Sequence, residues 1–176
     1  MAHVTLMNFP ASALIGDNDA QLDAGDIGSP HASFKGRPVL SFDPTAEEAA
    51  LTPEVSMPGQ YAGSTLMATL KCFAAAAGDG AKTIDFEVYV EAYTPGTDTN
   101  DLSSATGWDS ANEVTGGTVV PTNAGAPFDI DIILTNKDSV AVSDLVRLGL
   151  RRDTDDTDDD FADDVHVAAL EIWEST

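Results

Sequence analysis

Thr83-Ile-Asp-Phe-Glu-Val-Tyr-Val-Glu-Ala-Tyr93 decides the fold class. Ile84, Phe86, Val88, Val90 and Ala92 recur at every second position, with Asp85, Glu87, Tyr89, Glu91 and Tyr93 between them. A period of two belongs to an extended strand with one face on a core and the other in water. Residues 64–77 alternate in the same way, with Leu66, Ala68, Leu70 and Cys72 set against Met67, Thr69, Lys71 and Phe73. The alanines at 74–77 favour a helix by propensity, but the alternation and the glycines after it outweigh them. The short Gly78-Asp-Gly80 connection predicts that the two runs are hairpin neighbours.

Working outward, further strand patterns fall at residues 39–43, ended by Pro44, at 52–57, ended by Pro58-Gly59, and at 128–134. A last pair is Asp144-Leu-Val-Arg-Leu-Gly-Leu-Arg-Arg-Asp153 and Asp164-Val-His-Val-Ala-Ala-Leu-Glu-Ile-Trp-Glu174, read as a closing hairpin. Val146, Leu148 and Leu150 point inward there, and Arg147 and Arg151 outward. Residues 94–126 are rich in Thr, Ser, Asn, Gly and Pro and form a long loop with one short strand at Thr118-Val-Val120. Loops of that length usually carry contacts or function. Residues 1–38 differ: Leu6, Phe9, Leu14 and Ile15 are scattered among turn formers such as Gly16-Asp-Asn-Asp19, Gly25-Asp26 and Gly28-Ser-Pro30. They read as an extended N-terminal arm, its contacts made by those four apolar residues, lying on the domain or on a neighbouring subunit. Residues 39–176 form the domain proper. Short strands with turn signals between them specify an all-β chain, an antiparallel two-sheet β-sandwich of jelly-roll-like form.

The charge narrows the partners. Eight basic and 30 acidic residues give a formal net charge of -22 over 176 residues. Such a surface repels nucleic acid and anionic membranes. It suits salty water, where screening limits self-repulsion, or a protein kept soluble by like charge at high local density. Cys72, the sole cysteine, lies in an apolar run, so neither an intrachain disulfide nor a cysteine-built zinc site is expected. Met1-Ala-His-Val-Thr-Leu has no basic or long apolar leader pattern, and no apolar run reaches membrane-spanning length. Folding in the cytoplasm is the expectation.

Chemistry-bearing motifs are scarce. Eight of the twelve residues at 153–164 are aspartate. An oxygen-rich turn suits calcium, and Asp153, Asp155, Asp158, Asp159 and Asp160 are the candidate ligands. An EF-hand register fails, because Asp158 stands where the turn glycine belongs and Asp164 where the bidentate Glu belongs. A solvated hairpin tip is the simpler reading, and no other cofactor is expected. His3, His31 and His166 show no metal-ligand spacing. No Gly-x-Ser-x-Gly elbow and no phosphate-cradling glycine loop occurs. With 30 acids in the chain, any chosen carboxylate pair is uninformative. A non-enzyme is expected. Tyr89 and Tyr93 share one strand face and, with Trp108, Trp173 and Tyr61, offer rings for an interface, for packing or for stacking on a glycan.

Several segments carry a family resemblance. They are Leu14-Ile-Gly-Asp-Asn18, Phe42-Asp-Pro-Thr-Ala-Glu-Glu-Ala49, Val55-Ser-Met-Pro-Gly-Gln-Tyr61, the stretch from Leu134-Thr-Asn-Lys to Val146-Arg-Leu148, Arg151-Arg-Asp153, and Val167-Ala-Ala-Leu-Glu-Ile172. Together the chain resembles small virion-associated structural proteins of tailed bacteriophages. The resemblance implies a jelly-roll-like sandwich in a virion, assembled in the host cytoplasm. It further implies a capsid decoration or cement protein, a homotrimer bound to the major capsid protein. The alternative is a tail or head-fibre module that binds host surface glycans. The Asp-rich turn departs from the family pattern.

Overall fold

The alternating runs do form strands, and they are shared between two six-stranded sheets. The computed structural model describes residues 3–17, 22, 27–98 and 107–175. In chain order the strands are β1 (His3–Pro10), β2 (Ile15–Gly16), β3 (Ile27–Gly28), β4 (His31–Phe34), β5 (Arg37–Phe42), β6 (Glu48–Leu51), β7 (Val55–Ser56), β8 (Thr65–Ala74), β9 (Thr83–Ile84), β10 (Phe86–Tyr93), β11 (Thr118–Val119), β12 (Pro127–Ile133), β13 (Leu145–Arg152) and β14 (Val165–Ser175). The first sheet runs β12-β8-β14-β5-β4, with β1 following β5 along the same side of β14. The second runs β10-β13-β6-β2, with β7 also on β13 and β3 on β6. Pairing is antiparallel throughout except for β3 with β6. This is the expected antiparallel two-sheet β-sandwich, and from β7 onward the longer strands alternate between sheets in the jelly-roll manner.

The inward sets meet as one core. Leu66, Ala68, Leu70 and Cys72 of β8, Ile130 and Ile132 of β12, and Leu170 and Ile172 of β14 face Phe86, Val88 and Val90 of β10 and Leu148 and Leu150 of β13. Phe42 and Phe86 join the sheets edge to face, with ring centroids 5.0 Å apart.

Two expected hairpins are sheet crossings. The neighbours of β8 are β12 and β14, while β10 pairs with β13, so residues 75–82 carry the chain from one sheet to the other. Gly78 marks the crossing: its N–H donates to the Pro121 carbonyl at 2.8 Å, and a Cβ there would lie 2.6 Å from the Val120 carbonyl oxygen. The closing pair is split likewise, β13 in the second sheet and β14 in the first. Short glycine connections serve both kinds of link, and the choice is made by which edges other strands already occupy.

The described part of the expected arm lies on the domain, as strands of both sheets. β1 pairs along β14, β2 pairs with β6, and Phe9 and Leu14 are buried in the core with Leu6 packed against it. Ile15 alone of the four stays exposed. The boundary at residue 38 falls inside β5, so the described part of 1–38 is integral to both sheets. The turn formers around Asn18-Asp19 and Gly25-Asp26 lie outside the described residues. β6 carried no strand signal, being Glu-Ala-Ala-Leu, yet all four residues are buried between β13 and β2/β3.

One charge sits within this apolar frame. Arg152, last in β13, follows Leu148 and Leu150 in the inward alternation and is fully buried. Its Nε and Nη2 donate to Asp159 at 2.8 Å each. Nη1 donates to the carbonyls of Phe42 and Asp163, and Nη2 to that of Phe161 at 2.6 Å. All five guanidinium N–H groups are thereby used. Arg152→Ala should destabilise the fold by about 3–5 kcal/mol, because it strands the Asp159 charge and three carbonyls. Urea denaturation measures this, and a loss below about 1 kcal/mol would mean the network is dispensable.

Candidate functional site

The outer face of the second sheet carries the densest polar arrangement on a rigid element. The sequence pattern places Glu87, Tyr89, Glu91 and Tyr93 of β10 in water, but Glu87, Glu91 and Tyr93 are buried and Tyr89 is half-buried. Register explains this. Glu87 lies opposite Arg151, Tyr89 opposite Gly149, and Glu91 opposite Arg147. Two acids flanking a ring on β10 thus meet two bases flanking a gap on β13.

The charges close on each other across the strands. Arg151 donates to Glu87 at 2.6 and 2.7 Å and reaches Glu47 at 3.2 Å. Arg147 donates to Glu91 at 2.7 and 3.0 Å. The Arg147 guanidinium lies 4.6 Å over the Trp108 ring, in cation–π contact. Tyr89 donates its hydroxyl to Glu87 at 2.8 Å, and Tyr93 donates to Glu54 at 2.6 Å. Burial, with help from the Glu54 carboxylate, holds the Tyr93 phenol above its usual range, so it stays protonated. The gap at Gly149 has a use: a Cβ there would collide with the Leu22 side chain, so Leu22 seats where the glycine leaves room.

Residues from the long loop close the free edge of β10. Asn112 exchanges backbone hydrogen bonds with Val88, and Asp109 donates to the Val90 carbonyl at 2.9 Å. The Asn112 side chain also bonds Val88 and Asn136, bolting the loop down. Trp108 is held beside Arg147 in this way, half-buried, its Nε1–H buried without a hydrogen-bond partner among the described residues.

Tyr89, Tyr93 and Trp108 are therefore brought to one face, with Tyr93 sunk beneath it. The other two rings go elsewhere. Tyr61 is buried and accepts from Lys137 at 2.9 Å. Trp173 stacks on His3 at 4.2 Å on the opposite sheet. Sequence reasoning missed Arg147, Arg151, Glu87 and Glu91 as a set. Their signal, Glu-x-Tyr-x-Glu against Arg-x-Gly-x-Arg, is legible only once β10 is known to pair with β13. The face supplies aromatic surface and fixed donors and acceptors. Cys72 is buried in the core, where desolvation raises its thiol well above the ordinary value.

The aspartate turn sorts into two groups. Asp159 and Asp160, expected among the calcium ligands, hold cations instead: Asp159 pairs with Arg152, and Asp160 with Lys82 at 2.8 Å. Asp155 and Asp158 donate backbone N–H groups to the carboxylates of Asp153 and Asp156. Asp153 and Asp156 converge with Asp85, the one such carboxylate group among the described residues. Burial, then the charges of Glu113, Asp156, Glu87 and Asp153, push the Asp85 carboxyl up to about 7.

Neither a protein-family model nor a curated protein matches the sequence. Among solved structures the chain is similar to a xylan-binding module, CBM15, at TM-score 0.50 and 11% identity over 98% of each chain. It is also similar to the carbohydrate recognition domain of Emp47p, at TM-score 0.49 and 7% identity over 98% of each. A third is the K3 cleaved adhesin domain of Lys-gingipain from Porphyromonas gingivalis w83, at TM-score 0.46 and 14% identity, over 99% of this chain and 100% of that one. At such identities the likeness is one of fold, and the xylan-binding module supports the sandwich architecture.

Burial should decide which ion pairs on this molecule matter. Arg147–Glu91 and Lys71–Asp129 have the same 2.7 Å separation, but side-chain exposures are 19% and 8% in the first and 42% and 52% in the second. Double-mutant cycles to alanine should give a coupling of about 1–3 kcal/mol for Arg147–Glu91. The Lys71–Asp129 coupling should stay below about 1 kcal/mol. Equal couplings would remove the argument that the face is held rigid by its charges.

Proposed function

We propose that this chain is a non-catalytic glycan-binding β-sandwich whose contact surface is the outer face of the second sheet. The observation that carries the reading is the placement of Tyr89 and Trp108, both half-buried, around the Arg147–Glu91 pair on two paired strands. Sugar rings present apolar C–H faces and a rim of hydroxyls. The half-buried rings take the first, and the part-exposed Arg147 guanidinium takes the second. Side chains locked by mutual pairing lose little further entropy on binding. The architecture shared with a xylan-binding module supports the reading at the level of the scaffold. On the resemblance to phage structural proteins, the module is carried on a virion and contacts host surface glycans. The acidity of the chain then keeps particles apart.

A second reading, capsid decoration through oligomeric contacts with the major capsid protein, has its own support. Ile15 and Ile27 are exposed on strands that both pair with β6, leaving apolar surface at that edge. A glycan array followed by titration calorimetry separates the two. Trp108→Ala and Tyr89→Ala should each weaken glycan binding about tenfold or more, roughly 1.4 kcal/mol, with unchanged circular dichroism. If no glycan binds and the protein co-sediments with phage heads as a trimer, decoration is the function. Glycan binding left intact in both variants would place the site elsewhere on the molecule.

A further inference from the structure

Asp85 has no counter-ion among the described residues. It lies between Ile84 and Phe86, both in the core, so its side chain is turned to the outer face, yet the residue is only 2% exposed. Its Oδ1 is buried and accepts no hydrogen bond among the described residues. Phe86 pairs with Arg152, so the residues one step further, Asp85 and Asp153, face each other, and the Asp153 N–H donates to the Asp85 carbonyl. Like charges directly opposite in a strand pair are destabilising, and a third carboxylate, Asp156, arrives from the turn. Oxygens of the three lie within 4.8 Å of one another.

Nearby cations do not neutralise the group. Arg152 points to the core and is saturated by Asp159 and three carbonyls. Arg151 is engaged by Glu87 and Glu47 and touches Asp153 only at 3.5 Å. Lys82 is held by Asp160. Glu113 adds a further negative charge close enough to act on Asp85.

Spacing identifies the missing partner. Calcium–oxygen distances of about 2.3–2.6 Å allow two ligands on opposite sides of one ion to lie about 4.6–5.2 Å apart. Three carboxylate oxygens within 4.8 Å of one another fit around a single such ion. The turn is also fixed in place before any ion arrives. Asp159 bonds both Arg152 and the Asp85 backbone N–H, and Asp160 bonds the Thr83 N–H at 2.9 Å. Asp156 is thereby held over Asp85.

We propose that Asp85, Asp153 and Asp156 bind a calcium ion that fastens the aspartate turn to the edge of the second sheet. Water supplies the rest of the shell, since calcium takes about six to eight oxygens. The site is structural and does not rest on the glycan reading.

Thermal unfolding of the full chain in EDTA and in increasing CaCl2, with calorimetric titration of Ca2+ alone, tests it. The midpoint should rise with the logarithm of free Ca2+, and calorimetry should show one ion per chain. Asp85→Asn should fold in EDTA at least as well as the parent, because it removes an unpaired buried charge, yet show no calcium shift. Asp156→Asn should weaken binding at least tenfold. Asp155→Asn, which lowers net charge equally outside the three carboxylates, should keep the full shift. No calcium response in the parent, a full response in Asp85→Asn, or an equal loss in Asp155→Asn would each overturn the site. The last would reduce the effect to general screening of an acidic surface.

Discussion

A buried guanidinium ties this sandwich together. Arg152 closes β13, and its acceptors belong to β5 of the opposite sheet and to the segment that leads into β14. One planar group thus spans the gap at the point where the chain leaves one sheet for the other. A charge in that place is stabilising only when every donor is used, and the Asp-rich turn exists in its observed shape because Asp159 supplies two of the five acceptor contacts. The turn is therefore not a loose acidic tip. It is folded back over the end of the sandwich by an ion pair that water scarcely reaches.

The same physics, one residue earlier in the chain, builds the outer face. Arg151 and Arg147 point outward at the spacing of two that places Arg152 inward, and each meets a glutamate directly across the strand pair. Three of the eight basic residues lie on β13, each in a buried or half-buried pair with an acid of β10 or of the turn. In a chain of net charge -22 that is a strong concentration of positive charge. It makes this face one where charged donors and acceptors alternate across two strands. A polyhydroxylated ligand needs both, whereas a uniformly acidic surface offers only acceptors.

Much of this was legible in the sequence, and the failures have physical causes. The alternation in β8, β10, β12 and β13 is a local property, so strand identity and the inward residues follow from it. Strand partners are not local. A glycine-bounded link such as Gly78-Asp-Gly80 fits a hairpin and a sheet crossing equally well, and only the occupancy of β8 by β12 and β14 decides. With β10 assigned to the wrong neighbour, the match of Glu87 and Glu91 to Arg151 and Arg147 stayed hidden. The reach of Phe9 and Leu14 into the core was obscured by the turn formers around them, which mark breaks in the chain and say nothing of where each piece packs. Tyr89 and Trp108 could be nominated as a pair of rings, but their common face depends on Asn112 bolting the loop to β10.

Asp85 shows the limit most plainly. Its place between two core residues assigns it to the outer face, and on a strand of this composition that means water. Burial came from the turn, which is distant in sequence and is carried there by Arg152. The acids of the turn then divide by what already stands beneath them. Asp159 and Asp160 fall over Arg152 and Lys82 and are neutralised, while Asp153 and Asp156 fall over another carboxylate. A run of like residues thus acquires unlike roles, because the surface it lands on is not uniform. The run of aspartates in the sequence is a supply of oxygens, and the fold determines which of them meet an arginine and which come to face another carboxylate.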